Sequence, residues 1–184
     1  DYDNIIGVCT NSGGAGGDCE AGDTENGGAA KVLGLEVQAG YTFALASGQL
    51  PLSASYTYTK AEFQSSFEGS IWGTVEEGDK LPNLPENQLS LNAGLYLDNG
   101  FGSDLSLRYF DETCSTAECK EFQNIDEFYT LDLSVHYSFN DSTRVYVNVD
   151  NLTDNDGDII SREPKAGARG QKPRTVMAGV RYRF

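Results

Sequence analysis

The residues able to do chemistry are few, and their spacing favours structure over catalysis. The chain holds one histidine, His136, which rules out a multi-histidine metal site. His136 and Asp132 lie in a segment of strict alternation, so both project from one face of a strand. No Ser/His/Asp or Cys/His arrangement accompanies them, and a hydrogen-bonding role on a polar strand face is the expectation. Acid pairs such as Glu76 and Glu77 fall among loop charges. Nothing here reads as an enzyme.

Four cysteines form two local pairs, Cys9 with Cys19 and Cys114 with Cys119. Neither pair has C-x2-C spacing, and a metal would need thiolates to converge from two separate segments. Two disulfides in an oxidising compartment are expected instead, each stabilising by about 2–3 kcal/mol. Asp154-Asn-Asp-Gly-Asp158 looks like a calcium loop at first sight. Its glycine is misplaced for an EF-hand and no glutamate falls at the twelfth position, so it reads as a solvated acidic turn. No metal or cofactor is expected.

Charge narrows the field further. The 184 residues carry 13 Lys plus Arg and 28 Asp plus Glu, a net charge of −15. That balance excludes the basic footprint of a nucleic-acid binder. Ten Tyr and nine Phe argue against disorder. No apolar run approaches the ~18–20 residues of a membrane-spanning helix.

Period-two alternation is the dominant pattern. From Tyr129 to Phe139 the odd positions are all apolar or aromatic and the even ones are all polar. Similar segments occupy 33–43, 50–59, 88–97, 103–109, 144–150 and 175–184, and the weakly patterned opening, Tyr2 to Val8, makes an eighth candidate. No helical period of useful length appears, so an all-β fold is expected. Connections at 44–49, 98–100 and 140–142 are short, with Asp-Asn-Gly and Asn-Asp-Ser turn chemistry. Those at 9–28, 60–86, 110–128 and 151–174 are long and polar.

Short turns at one end and long loops at the other describe an antiparallel up-and-down transmembrane β-barrel. The apolar face is aliphatic in mid-strand and aromatic near the ends, at Tyr41, Phe43, Tyr56, Tyr58, Tyr137, Phe139, Tyr182 and Phe184. This is the pattern of an aromatic girdle. Ten residues at ~3.3 Å each, tilted ~45°, cover roughly 23 Å, close to the ~25 Å apolar band of such barrels. A soluble β-domain that binds carbohydrate is the competing reading of the alternation. A complete eight-stranded barrel with a structural or adhesive role is a second alternative.

Specific stretches carry a family resemblance. Val147-Asn-Val-Asp-Asn-Leu-Thr-Asp154, then Arg162 followed by Gly167-Ala-Arg-Gly-Gln-Lys-Pro-Arg-Thr175, then the strand ending at Phe184, resemble the C-terminus of TonB-dependent outer-membrane receptors. Gly34-Leu-Glu36 after Gly27-Gly28, and Leu81-Pro-Asn-Leu-Pro-Glu-Asn-Gln-Leu89, are similar to other segments of that family. Within it, the chain is most similar to ferric-dicitrate-type siderophore receptors. The resemblance implies a 22-stranded barrel with a plugged lumen. Residues 1–184 would be the C-terminal part of that barrel, about eight strands, without the plug domain.

The resemblance also implies a bacterial outer-membrane location with the long loops extracellular, and import of a ferric chelate powered by TonB. TonB would be contacted through a missing N-terminal region, and the loops would meet lipopolysaccharide. Val180, Tyr182 and Phe184 resemble the signal read by the barrel-assembly machinery. For an anionic ferric chelate, arginine is the fitting partner, because its fork matches carboxylates. Arg108 on the lumen face and Arg162, Arg169 and Arg174 in the last long loop are the candidates. Pairing of these arginines with acidic loop residues or lipopolysaccharide phosphates is the competing role.

Overall fold

The structure, a computed structural model, describes residues 1–9, 19–117, 119, 124–160 and 169–184. Seven strands make one antiparallel sheet: β1 (Ala30–Leu45), β2 (Gly48–Phe63), β3 (Asn87–Leu97), β4 (Phe101–Phe110), β5 (Phe128–Ser138), β6 (Thr143–Asp150) and β7 (Thr175–Tyr182). Their order across the sheet is their order in the chain. Among the described residues there is no helix. The turns form as their residues dictate. Asn140 Oδ1 accepts the backbone N–H groups of Ser142 (2.9 Å) and Thr143 (2.8 Å). Gly100 takes a φ of 91° against the neighbouring strand, where any side chain would strike the Ser138 carbonyl.

The opening segment does not become an eighth strand of this sheet. Ile6–Val8 pairs with Thr24–Asn26 in a separate hairpin, and Tyr2 bridges to Ala30. Adjacent Ile5 and Ile6 break the alternation that a two-faced strand needs. Gly7 and Gly27 instead lie against the Trp72 indole, where a Cβ at either would collide with the ring.

The apolar side of the sheet is open to its surroundings. Leu35, Tyr41, Val176 and Val180 are 57%, 66%, 64% and 69% exposed. A contiguous apolar surface of this kind marks a face that meets a membrane or another protein surface. Tyr-x-Phe pairs at the short-turn end meet edge to face, Tyr41 with Phe43 at 4.7 Å and Tyr137 with Phe139 at 5.0 Å. At the loop end, register aligns Tyr56 with Leu89, Leu89 with Tyr109, and Tyr109 with Tyr129. Two aromatic rows thus bound one aliphatic band.

β1 and β2 run past that band, and their two faces exchange character there. Below Tyr58 the outward residues are apolar. Beyond it they are Lys60, Glu62 and Lys31, with Lys60 and Glu62 ion-paired at 2.8 Å. The inward residues change in the opposite sense, to Ala30, Val32, Ala61 and Phe63. Ala30, Ala61 and Phe63 are buried with Val75 beneath the loops, and Trp72 meets Phe63 edge to face at 5.6 Å. Glu25 accepts the N–H groups of Ser70 and Ile71 and ties the first loop to the second. The compact core therefore lies where the loop ends of β1 and β2 meet the loops, not along the aliphatic band of the sheet.

Val37 and Gln38 are neighbours in mid-band on opposite faces, so they separate the two environments cleanly. Val37→Arg should cost about 2–4 kcal/mol in denaturant unfolding of the membrane-inserted protein. Gln38→Arg should stay within about 0.5 kcal/mol of the parent. Equal costs would show that the apolar face does not meet lipid.

Candidate functional site

The polar face is a ladder of short side chains joined across strands. Ser106 Oγ donates to Asn92 Oδ1 (2.8 Å), and Asn92 Nδ2 donates to Ser53 Oγ (3.3 Å). Ser134 Oγ donates to Asn148 Oδ1 (2.8 Å), and the Tyr96 hydroxyl donates to Asp104. The first three bonds run along cross-strand rows, and the Tyr96–Asp104 bond is diagonal; both kinds of neighbour are close enough to meet. They leave a smooth polar wall rather than a closed cleft.

One row, nearer the short turns, carries rings and glycines. Tyr96 faces Gly102, Gly102 faces His136, His136 faces Tyr146, and Tyr146 faces Gly179. Each ring lies over a neighbouring glycine: a Cβ on Gly102 would strike the His136 imidazole, and one on Gly179 the Tyr146 hydroxyl. The rings cover backbone that glycine leaves bare. His136 makes a tilted ring contact with Tyr96 at 6.3 Å and no hydrogen bond among the described residues, so it packs rather than joining Asp132 in a polar pair.

Asp132 serves Arg108. Arg108 Nη2 lies 2.6 Å from Asp132 Oδ2, and Asp132 Oδ1 accepts the backbone N–H of Asn151 at 2.8 Å. Arg174 is likewise engaged: its backbone N–H donates to Asp154 Oδ1 (2.8 Å), and its Nη2 lies 3.7 Å from Asp154 Oδ2. The backbone of Arg169 pairs with Ile160 in a short hairpin. Arg162 lies outside the described residues. The structure thus brings Arg108 and Arg174 to carboxylates of the chain itself.

Asn151 locks the base of the last loop. It is 4% exposed, with a φ of 52°. Its Nδ2 donates to the carbonyls of Asn155 (2.8 Å) and Lys172 (2.9 Å), and its Oδ1 accepts the Asn155 N–H (3.0 Å). Asn151-Leu-Thr-Asp154 thereby closes as a tight turn, and both ends of the loop are clasped together. Asp154, within the stretch that looks like a calcium loop, serves as this anchor. No cluster of metal-ligating side chains occurs among the described residues.

Other features escape a reading by alternation. Phe110 and Phe128 stack at 4.9 Å at the loop end of the polar face. The doublets Tyr109-Phe110 and Phe128-Tyr129, which break the alternation, are the signal that would have found them. Arg144, Arg181 and Arg183 occupy the opposite end of that face. Cys9 is bonded to Cys19 and Cys114 to Cys119, both pairs at the loop end. Val180 and Tyr182 stand exposed on the apolar face of β7, and Phe184 follows the strand and meets Tyr182 edge to face at 5.1 Å.

The comparisons fit this arrangement. The family described as "TonB dependent receptor-like, beta-barrel" matches residues 1–152. Among curated proteins none matches the sequence. Of solved structures, the siderophore receptor PiuA from Acinetobacter baumannii is similar over 83% of this chain and 22% of its own, at 18% identity and a TM-score of 0.66. The ferric-catecholate import receptor Fiu from Escherichia coli K12 is similar over 91% and 23%, at 18% identity and a TM-score of 0.67. The copper transporter OprC shares the fold as well, with a TM-score of 0.62 at 18% identity, over 88% of this chain and 25% of its own. The chain spans less than a quarter of the length of PiuA and of Fiu.

Replacing Asn151 with Ala removes three hydrogen bonds from a buried, positive-φ position. The expected loss is about 2–3 kcal/mol, together with faster protease nicking within 155–171. An unchanged nicking rate would show that the clasp does not hold the loop.

Proposed function

The chain belongs to the TonB-dependent receptor-like β-barrel family, and from that premise we propose that it is wall and loop of an outer-membrane receptor importing a ferric siderophore or other iron chelate. One observation carries this reading most directly. The sheet is an open meander with an apolar girdled face, a polar face and unpaired outer edges on β1 and β7. A strand edge cannot stay open in hydrocarbon, so these edges need further strands. A wide barrel supplies them, and its lumen suits the small polar side chains of the inner face. The complete eight-stranded barrel would need β1 and β7 to meet, and they do not pair.

Within this reading the long loops face outward and receive cargo. The stacked Phe110 and Phe128 offer a platform at the mouth of the lumen, and Arg162 and Arg169 are the loop arginines proposed for an anionic chelate. Arg108 and Arg174 could serve a ligand by exchanging one carboxylate partner for another. The role is transport rather than catalysis, and the iron chelate is cargo rather than cofactor. TonB would engage an N-terminal region outside this sequence. Val180, Tyr182 and Phe184 present the apolar edge that the assembly machinery would read. Acidic loops would reach lipopolysaccharide through divalent cations.

Ferric citrate is the first cargo to test, following the likeness of the sequence to ferric-dicitrate-type receptors. The intact mass of the polypeptide from purified outer membranes should be roughly four times that of these residues, given the 22–23% coverage of the matched receptors. Cells carrying the gene should take up radiolabelled ferric citrate or ferric catecholate, and uptake should vanish without TonB. A mass near 20 kDa would favour the small barrel. Uptake indifferent to TonB, or copper uptake in place of iron, would overturn the proposed transport.

A further inference from the structure

The last loop is fastened to the polar face by one carboxylate that also serves an arginine. Asp132 accepts at both oxygens, from Arg108 Nη2 at Oδ2 (2.6 Å) and from the backbone N–H of Asn151 at Oδ1 (2.8 Å). Arg108 is on β4, Asp132 is on β5 and Asn151 follows β6, and each of these strands is paired on both sides. The Arg108 guanidinium has no other hydrogen-bond partner among the described residues. Thr130, directly across from it, has a buried hydroxyl that is unpartnered as well.

The turn that Asp132 holds is one that needs holding. Asn151 and Asp154 both have positive φ, 52° and 56°. Side chains rarely occupy that region, and it persists only where surrounding contacts impose it. The last loop supplies several of these contacts itself, through Asn155, Lys172 and Arg174. β5 supplies two more, the Leu131 carbonyl to the Leu152 N–H (2.6 Å) and the Asp132 carboxylate. The carbonyl is fixed by its strand. The carboxylate is fixed only by its donors, because the terminal torsion of Asp is soft. Arg108 is the more exposed of the pair, 55% against 27% at the side chain, so a solute on the polar face meets the guanidinium first.

We propose that Asp132 is a positioning residue in an anion-sensitive latch: it couples Arg108 to the base of the last loop, and a carboxylate-bearing solute that takes Arg108 away loosens that base. The guanidinium fork fits a solute carboxylate as it fits Asp132. Left with one donor, the Asp132 carboxylate turns toward water and its bond to the Asn151 N–H opens. The coupling is reciprocal, so a closed loop base orients Asp132 and holds Arg108 back from the solute. The inference rests on reading the polar face as the lumen wall, but not on the identity of the cargo.

The test measures amide hydrogen exchange across 151–157 in the folded full-length receptor, with the turn at 140–143, at the other end of β6, as internal control. Arg108→Gln should speed exchange across 151–157 by about fivefold or more and leave 140–143 unchanged. Arg108→Lys keeps the charge and should restore most of the protection. In an Asn151→Ala background the clasp is already broken, so Arg108→Gln should add nothing. Tricarballylate, an iron-free tricarboxylate, compared with chloride at equal ionic strength, should reproduce the Arg108→Gln effect in the parent and do nothing in the variant. Exchange indifferent to Arg108→Gln would overturn the proposal, as would additive effects of the two substitutions. A response to Arg108→Gln without one to tricarballylate would overturn the latch and leave a fixed brace. A response to tricarballylate that persists in Arg108→Gln would overturn Arg108 as the sensor, in favour of Lys172 or Arg174. If the latch responds but TonB-dependent uptake of ferric chelates is absent, the latch stands and the transport reading falls.

Discussion

Hydrocarbon offers no water to a peptide group. Every backbone N–H and C=O that enters it must find a partner within the protein, and a strand finds that partner only in another strand. The sheet follows from this constraint. Each strand pairs with its sequence neighbour, so the chain lays down its hydrogen bonds locally and in order. The outer edges of β1 and β7 lie open within these residues, and in the proposed reading the same constraint would assign them to further strands. Side chains then divide by face, because a pleated strand has two sides and here each side meets a different medium.

The end of that medium is visible in the residues themselves. On β1 and β2 the outer face turns from Leu35 and Tyr58 to Lys31, Lys60 and Glu62, while the inner face turns to Ala30, Ala61 and Phe63. A strand passing from lipid to water on one side, and from open lumen to packed loop on the other, must exchange its polarity. Neither change needs a break in the strand. The pairing of β1 with β2 continues without a shift from Leu45 and Gly48 to Ala30 and Phe63.

Alternation made the sheet legible before any coordinates, since the period of two survives wherever lipid and lumen differ. The same rule hid what lies outside that regime. It ended β1 and β2 too early, because it stops where the faces invert. It admitted Tyr2 to Val8 as a strand, because a short apolar run looks alike in a hairpin and in a barrel wall. It placed Arg108 and Arg174 as candidates by residue type, but their carboxylate partners, Asp132 on the next strand and Asp154 at distance in sequence, follow only from register and loop closure. Asn151 is a further instance. Its motif is legible as a family mark, yet its role as clasp depends on a carbonyl twenty-one residues away.

The loop core bears on how such a wall can recognise anything. A flexible lid would spend binding free energy on its own ordering. Here Phe63, Val75, Ala30 and Ala61 are packed to near-zero exposure, Trp72 closes over them, and Glu25 fastens one loop to the next. Two disulfides restrain the neighbouring segments, and Asn151 ties off the last loop. The barrel strands need none of this for their own hydrogen bonding. The Phe110–Phe128 stack, paired across β4 and β5, is likewise held by strand register. In the proposed reading, recognition would then cost little reorganisation, and selectivity would depend on the chemistry of the surface so held rather than on the barrel that carries it.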